Sequence, residues 1–140
     1  MNLFLASVSP SVLDESITVS RLQGHLDSLA VPDLEKLFHA EPALSRRNWI
    51  MDLSHLEYIS SAGIGAFMGV LADLREKGGD LFFVGVPQKI AKIFKVLGMA
   101  RIFKVFENEF QALEAAAGAP PLFPGEPGLL ETRFDAGATA

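Results

Sequence analysis

Residues 52–65 have the sequence Asp52-Leu53-Ser54-His55-Leu56-Glu57-Tyr58-Ile59-Ser60-Ser61-Ala62-Gly63-Ile64-Gly65. The run 49–53, which leads into this segment, is nearly unbroken in its apolar residues and is typical of a central strand covered on both faces. After it, apolar residues at helical spacing predict a helix over 62–77 with one buried stripe: Ile64, Phe67, Met68, Leu71 and Leu74. The segment is therefore a connection from a strand to a helix, with Ser60 and Ser61 where the helix begins.

Strand and helix patterns alternate in the rest of residues 1–117. Strands are predicted at 3–8, 17–22, 49–53, 81–84 and 102–106, and helices at 32–39, at 62–77 up to Gly78-Gly79, at 87–98, and after Asn108 with Gln111 at the capping-box position. The first two strands follow each other without a helix, so we expect them to form an antiparallel pair. The alternation predicts an α/β fold with a four- to five-stranded mixed sheet, mostly parallel, and about four helices.

Composition sets the size and class of the protein. The chain has 140 residues, of which 49% are hydrophobic and 21% charged, as expected for one globular domain. Gly118–Ala140 contains four of the eight prolines and four glycines, without an apolar period, so we expect a flexible Pro/Gly-rich tail at 118–140 after a domain at 1–117. A family-specific extension or a remnant of an expression vector would look the same.

Charge and cysteine content exclude several classes of function. The net charge of −5 is unfavourable for direct nucleic-acid binding through phosphates. No apolar run reaches the length of a membrane span, and residues 1–10 lack the basic start of a secretory signal. With no cysteine there is no disulfide or thiol chemistry, which fits a cytoplasmic protein.

The face of the predicted helix opposite its apolar stripe carries small residues. Ala62, Gly65, Ala66 and Gly69 lie there, although a glycine inside a helix costs about 0.8–1 kcal/mol relative to alanine. Glycines allow another backbone to approach closely, so this face suits a docking protein; loops of the same chain packed over it are the alternative. Ser60 or Ser61 could be simply the helix cap. Phosphorylation at this point would add charge that the helix N-terminus tolerates and a docked partner does not.

The segment resembles the STAS domain of bacterial anti-sigma-factor antagonists. The similarity covers about residues 3–117 and rests on Asp-Leu-Ser at 52–54, on Tyr-Ile-Ser-Ser-Ala-Gly-Ile at 58–64 and on the following Gly-Gly turn. Gly24-His25-Leu26-Asp27 is similar to the Gly-Glu-Leu-Asp turn of that family.

The resemblance implies a function by partner switching and not an enzyme. It implies that Ser61 is phosphorylated by an anti-sigma factor that is also an ATP-dependent serine kinase, and that a metal-dependent phosphatase of the PP2C type removes the phosphate. The unphosphorylated protein would bind the kinase and free the sigma factor. Asp27 would lie in the kinase-facing surface, with the serine segment and helix face: Ser60, Ser61, Ala62, Gly63, Gly65 and Gly69. No cofactor is implied.

Two residues depart from the family pattern. Many phosphorylated members have Asp before the acceptor serine, whereas this chain has Ser60, which is therefore the second choice of acceptor. His25 replaces the usual acidic residue. Other STAS domains are never phosphorylated and belong to membrane lipid or anion transport complexes, so a structural subunit of such a complex is the alternative function.

Other motifs are incomplete. Gly63, Gly65 and Gly69 do not have dinucleotide-binding spacing, and Ile59 stands where a hydrolase elbow needs glycine. The three histidines lack the spacing of metal ligands, so no metal site or catalytic residue is predicted. Lys89, Lys92 and Lys95 form a basic strip on the helix at 87–98, which is typical of a solvated face. A contact with an acidic partner or a phosphate-bearing ligand is the other interpretation of this strip.

Overall fold

A computed structural model describes residues 3–11, 13–14, 16–40 and 48–116. The elements in chain order are β1 (Phe4–Pro10), β2 (Ile17–Leu26), α1 (Val31–Phe38), β3 (Asn48–Ile59), α2 (Ser61–Glu76), β4 (Asp80–Val84), α3 (Gln88–Val96), a short 3-10 helix (Met99–Arg101), β5 (Lys104–Phe106) and α4 (Glu109–Ala116). The predicted tail at 118–140 lies outside the described residues.

The strands form one sheet in the order β1-β2-β3-β4-β5. β1 is antiparallel to β2, and the remaining neighbours are parallel. The predicted mixed sheet with an antiparallel N-terminal pair and four α-helices is therefore confirmed. Because each parallel strand lies beside the preceding one, right-handed crossovers put α1, α2 and α3 on the same face of the sheet.

The alternating side chains of β3 contribute to two hydrophobic cores. Trp49, Met51 and Leu53 pack in the larger core with α1, α2 and α3. Ile50, on the opposite face, packs in a smaller core with Ala112 of α4. These four side chains of β3 are fully buried, as expected for a central strand covered on both faces.

Helix α2 agrees closely with the predicted helix. Four residues of its predicted apolar stripe are buried, while Met68 is only half-buried and Val70 is buried in addition. The helix ends in a Schellman motif, since the Gly79 N–H donates to the Leu74 carbonyl at 2.8 Å and Gly78 has a φ of +83°.

The second and third strands are longer than predicted. Their parallel pairing continues to the Leu26–Ile59 pair, with register shifts after Arg21 and Gly24. The predicted turn at 24–27 was therefore wrong, because residues 24–26 belong to β2 and only Asp27 lies beyond it. Gly24 permits this path: it has a φ of +92°, and a Cβ there would lie 1.8 Å from the Leu3 carbonyl oxygen.

The cap of α4 differs from the prediction in one bond. The Asn108 Oδ1 accepts from the Gln111 N–H at 2.9 Å, as a capping residue does. The Gln111 Oε1, however, accepts from the N–H of Glu107 at 3.1 Å and not from that of Asn108. The reciprocal bond thus closes one residue earlier than in the usual capping box.

Candidate functional site

The carboxyl ends of β2 and β3 meet at the start of α2. Leu26 and Ile59, the last residues of the two strands, are paired, and the Ser60 N–H donates to the Leu26 carbonyl at 3.0 Å. This bond holds Ser60 beside the chain that leads from Leu26 into Asp27. The two sequence segments predicted to form one surface are therefore adjacent.

Ser60 is the N-cap of α2. Its extended backbone has φ −95° and ψ 173°, and its Oγ accepts from the Gly63 N–H at 3.3 Å. The side chain is half-buried, and its oxygen is occupied by the first turn of the helix. The interpretation of a serine as the helix cap is thus correct for Ser60.

Ser61 is the first residue of α2 and is exposed. No described residue forms a hydrogen bond with its hydroxyl. The unpaired amides of the first helical turn and the positive end of the helix dipole lie beside it. The two adjacent serines therefore differ: the Ser60 hydroxyl caps the helix, and the Ser61 hydroxyl is exposed to solvent.

Asp27 organises the turn between β2 and α1. Its Oδ1 accepts from the backbone N–H groups of Leu29 and Ala30 at 3.1 and 3.2 Å. The turn leaves the Leu29 side chain 83% exposed, at the same end of the sheet as Ser61. Sequence reasoning missed Leu29, because it stands between a strand and a helix where no apolar period applies.

The outer face of α2 is open. Ala62, Gly65 and Gly69 are exposed, and a Cβ built on Gly65 or Gly69 would have no atom within 4 Å among the described residues. None of the described loops packs over these two glycines. Two helical turns of smooth, small-residue surface follow directly from Ser61.

Gly63 does not belong to this face, although it was predicted to be part of the partner-binding surface. It is buried, and a Cβ there would lie 2.7 Å from Ile59 Cγ1 and 2.8 Å from the Leu26 carbonyl oxygen. The residue lets the first turn of α2 pack against the ends of β2 and β3. We therefore correct its role to a structural one.

His25 lies beside this site on the last part of β2. Its Nε2 is 3.5 Å from Glu57 Oε1, and its ring contacts Tyr58 with a centroid separation of 5.7 Å. His25, Glu57 and Lys89 help to line an open groove of about 600 Å³. The groove carries charges of both signs and gives no clear preference for an anion.

Other candidate sites can be compared with the structure. Lys89, Lys92 and Lys95 are all exposed on α3. Within the described ranges, no three acidic or histidine side chains are placed to hold a metal ion. None of the described helices is long and apolar enough to cross a bilayer.

Comparison with known proteins identifies the family. The STAS domain model matches residues 9–112. The anti-sigma-B factor antagonist of Staphylococcus aureus (strain NCTC 8325 / PS 47) is 29% identical over 88 residues, which cover 63% of this chain and 82% of that protein.

Two solved structures share the fold. The anti-sigma factor antagonist SpoIIAA in its unphosphorylated form has a TM-score of 0.64 at 20% identity, covering 81% of this chain and 98% of that one. The murine anion transporter Slc26a9 has a TM-score of 0.67 at 13% identity, covering 84% of this chain and 23% of the transporter. The family match extends over β2 to α4 and includes the serine segment, so this chain belongs to the STAS domain family.

Proposed function

We propose that this chain is an anti-sigma-factor antagonist that works by partner switching in the bacterial cytoplasm. Unphosphorylated, it binds an anti-sigma factor that is also a serine kinase; phosphorylation of Ser61 releases it, and a PP2C-type phosphatase restores it. The exposed Ser61 hydroxyl at the start of a helix with an open face is the observation that carries this proposal. The antagonist name of the Staphylococcus aureus relative supports it.

The difference between the two serines favours Ser61 as the acceptor. A kinase must reach the hydroxyl and orient it towards ATP, and the Ser61 side chain is exposed. Phosphorylating Ser60 would instead disturb the cap bond that its Oγ accepts from the Gly63 N–H. A phosphate on Ser61 lies next to the positive helix end, so the domain keeps its fold while its surface changes.

Mass spectrometry after incubation with the anti-sigma-factor kinase and Mg-ATP tests this assignment. We expect one phosphate on Ser61 in the wild type and in Ser60→Ala, and none in Ser61→Ala. Circular dichroism of both variants controls for folding. Labelling of Ser60 alone would show that Ser60, and not Ser61, is the acceptor. No labelling of the wild type at all would favour a non-phosphorylated structural subunit of a membrane lipid or anion transport complex.

Leu29 offers an apolar anchor for the same partner. Its side chain is 83% exposed on the turn that Asp27 holds, so a partner docked there would remove apolar surface from water. We expect Leu29→Ala to weaken kinase binding by about 1–2 kcal/mol, or about five- to thirtyfold, without lowering thermal stability. Isothermal titration calorimetry measures the change.

The matched control for this prediction is Val96→Ala. Val96 is 75% exposed at the end of α3, so the variant removes a similar apolar side chain at another place. Equal affinities of Leu29→Ala and Val96→Ala would exclude the turn at Asp27 from the docking surface.

A further inference from the structure

Strand β1 lies at the edge of the sheet, and its outer side has no neighbouring strand in the described part of the chain. The strand has seven residues, whereas β5 at the opposite edge has only three. An unpaired edge presents a row of N–H and C=O groups that another strand can bind.

The hydrogen bonds of β1 show which of its backbone groups face outward. The Leu3 carbonyl accepts from the His25 N–H at 3.0 Å, and the Ser11 N–H donates to the Ile17 carbonyl at 2.8 Å. The register between β1 and β2 is unbroken from Phe4 to Pro10, and bonded residues alternate in an antiparallel pair. The odd-numbered residues therefore bond to β2, and the N–H groups of Phe4, Ala6 and Val8 point away from the sheet.

The edge has little of the usual protection against pairing. Natural edge strands carry charges, bulges or prolines that prevent association. Residues 3–11 contain no charged side chain, and the pairing with β2 has no bulge. Pro10 is the single proline of the strand; it stands at an even-numbered position, so its missing N–H limits only the end of the outer edge.

We propose that a second copy of this chain pairs with β1 in antiparallel orientation, giving a symmetric dimer with one continuous sheet. A two-fold axis at Ala6 puts Phe4 of each copy opposite Val8 of the other. In this register all three outward N–H groups of each copy find a carbonyl, and no charges face each other along the pair. Phe4 and Val8 are half-buried against the larger core, so their pairing would extend that core between the copies.

A second copy suits this edge for a further reason. Leu3 and Leu5 are 57% and 53% exposed beside it, which provides apolar surface for both copies to cover. The pair itself is uncharged, while each chain carries a net charge of −5. Salt should therefore strengthen the dimer by screening the repulsion between the copies, which is the opposite of an association through ion pairs.

Analytical ultracentrifugation of the full chain tests the proposal. We expect the mass to rise with concentration from 15.1 kDa towards twice that value, and to do so at lower concentration in higher salt. Ala6→Pro should stay at 15.1 kDa, because it removes an outward N–H without taking a bond from β2. Ala6→Ser keeps the N–H and should still dimerise. A wild-type chain of 15.1 kDa at every concentration would overturn the proposal.

Amide hydrogen exchange of the wild-type chain gives a second readout that needs no variant. The N–H groups of Phe4, Ala6 and Val8 should be protected only at concentrations where the dimer forms, while those of Leu5 and Ser7 are protected throughout. Protection of the even-numbered amides in a monomer would show that another segment of the chain, such as residues 118–140, covers the edge, and would overturn the proposal. Because β1 is separated from β3 and α2 by β2, Ala6→Pro should remain a substrate for phosphorylation at Ser61.

Discussion

Ser61→Asp is expected to abolish kinase binding while the domain stays folded. The new carboxylate would stand at the head of the open face of α2, where a docked partner would have to bury it. An unfavourable charge at an interface costs several kcal/mol, which is on the order of a hundredfold or more in affinity. Ser61→Ala, which adds neither bulk nor charge, should bind like the wild type.

The same substitution should not destabilise the fold. A negative charge in the first turn of a helix stabilises it by about 0.3–1 kcal/mol, so the midpoint of thermal unfolding should stay the same or rise slightly. A loss of binding together with a lower midpoint would instead indicate a damaged domain. Circular dichroism and calorimetry on the same preparation separate the two effects.

Gln88→Asp is the matched control for charge. Gln88 is the exposed first residue of α3, so the variant adds the same charge to the N-terminus of another helix. It should bind the kinase like the wild type. If Ser61→Asp and Gln88→Asp both bind with wild-type affinity, phosphorylation of Ser61 cannot act as the proposed switch.

The elements that were predictable are those with a full apolar period. The buried part of β3 and the stripe of α2 are covered by the core, and burial imposes a pattern that the sequence displays. The ends of β2 and β3 were not predicted, because residues such as Ser54 and Glu57 are exposed although they belong to a strand. Where a sheet face is exposed to solvent, polar residues are as compatible with a strand as with a loop, so the sequence does not distinguish the two.

The candidate site, too, could be predicted from the sequence only in part. The helix start at Ser60 and Ser61 follows from local capping rules, and the sequence places it within one residue. The position of Leu29 depends on a turn held by Asp27, and the different environments of Gly63 and Gly65 depend on the packing of α2 against β2. Contacts between distant parts of the chain decide these features, and no local pattern reports them.

The glycines of α2 should respond to alanine in opposite directions. At Gly65 the added methyl would enter open space on the helix surface, so Gly65→Ala should raise the free energy of unfolding by about 0.8–1 kcal/mol through helix propensity. At Gly63 the methyl would lie 2.8 Å from the Leu26 carbonyl oxygen, a backbone atom of a buried strand end that cannot move aside freely. Gly63→Ala should therefore lower the free energy of unfolding by about 1–3 kcal/mol despite the same gain in propensity.

Urea unfolding of the two variants and of Gly69→Ala measures these differences. The surface at Gly69 is as open as that at Gly65, so alanine at either position should raise the free energy of unfolding. Alanine at Gly63 should lower it. Because Gly63→Ala also strains the turn that follows Ser60, it should speed amide exchange at the start of α2, whereas Gly65→Ala should slow it. Equal stabilisation by all three substitutions would mean that the first turn of α2 is not packed tightly against β2, and Gly63 would then have no structural role there.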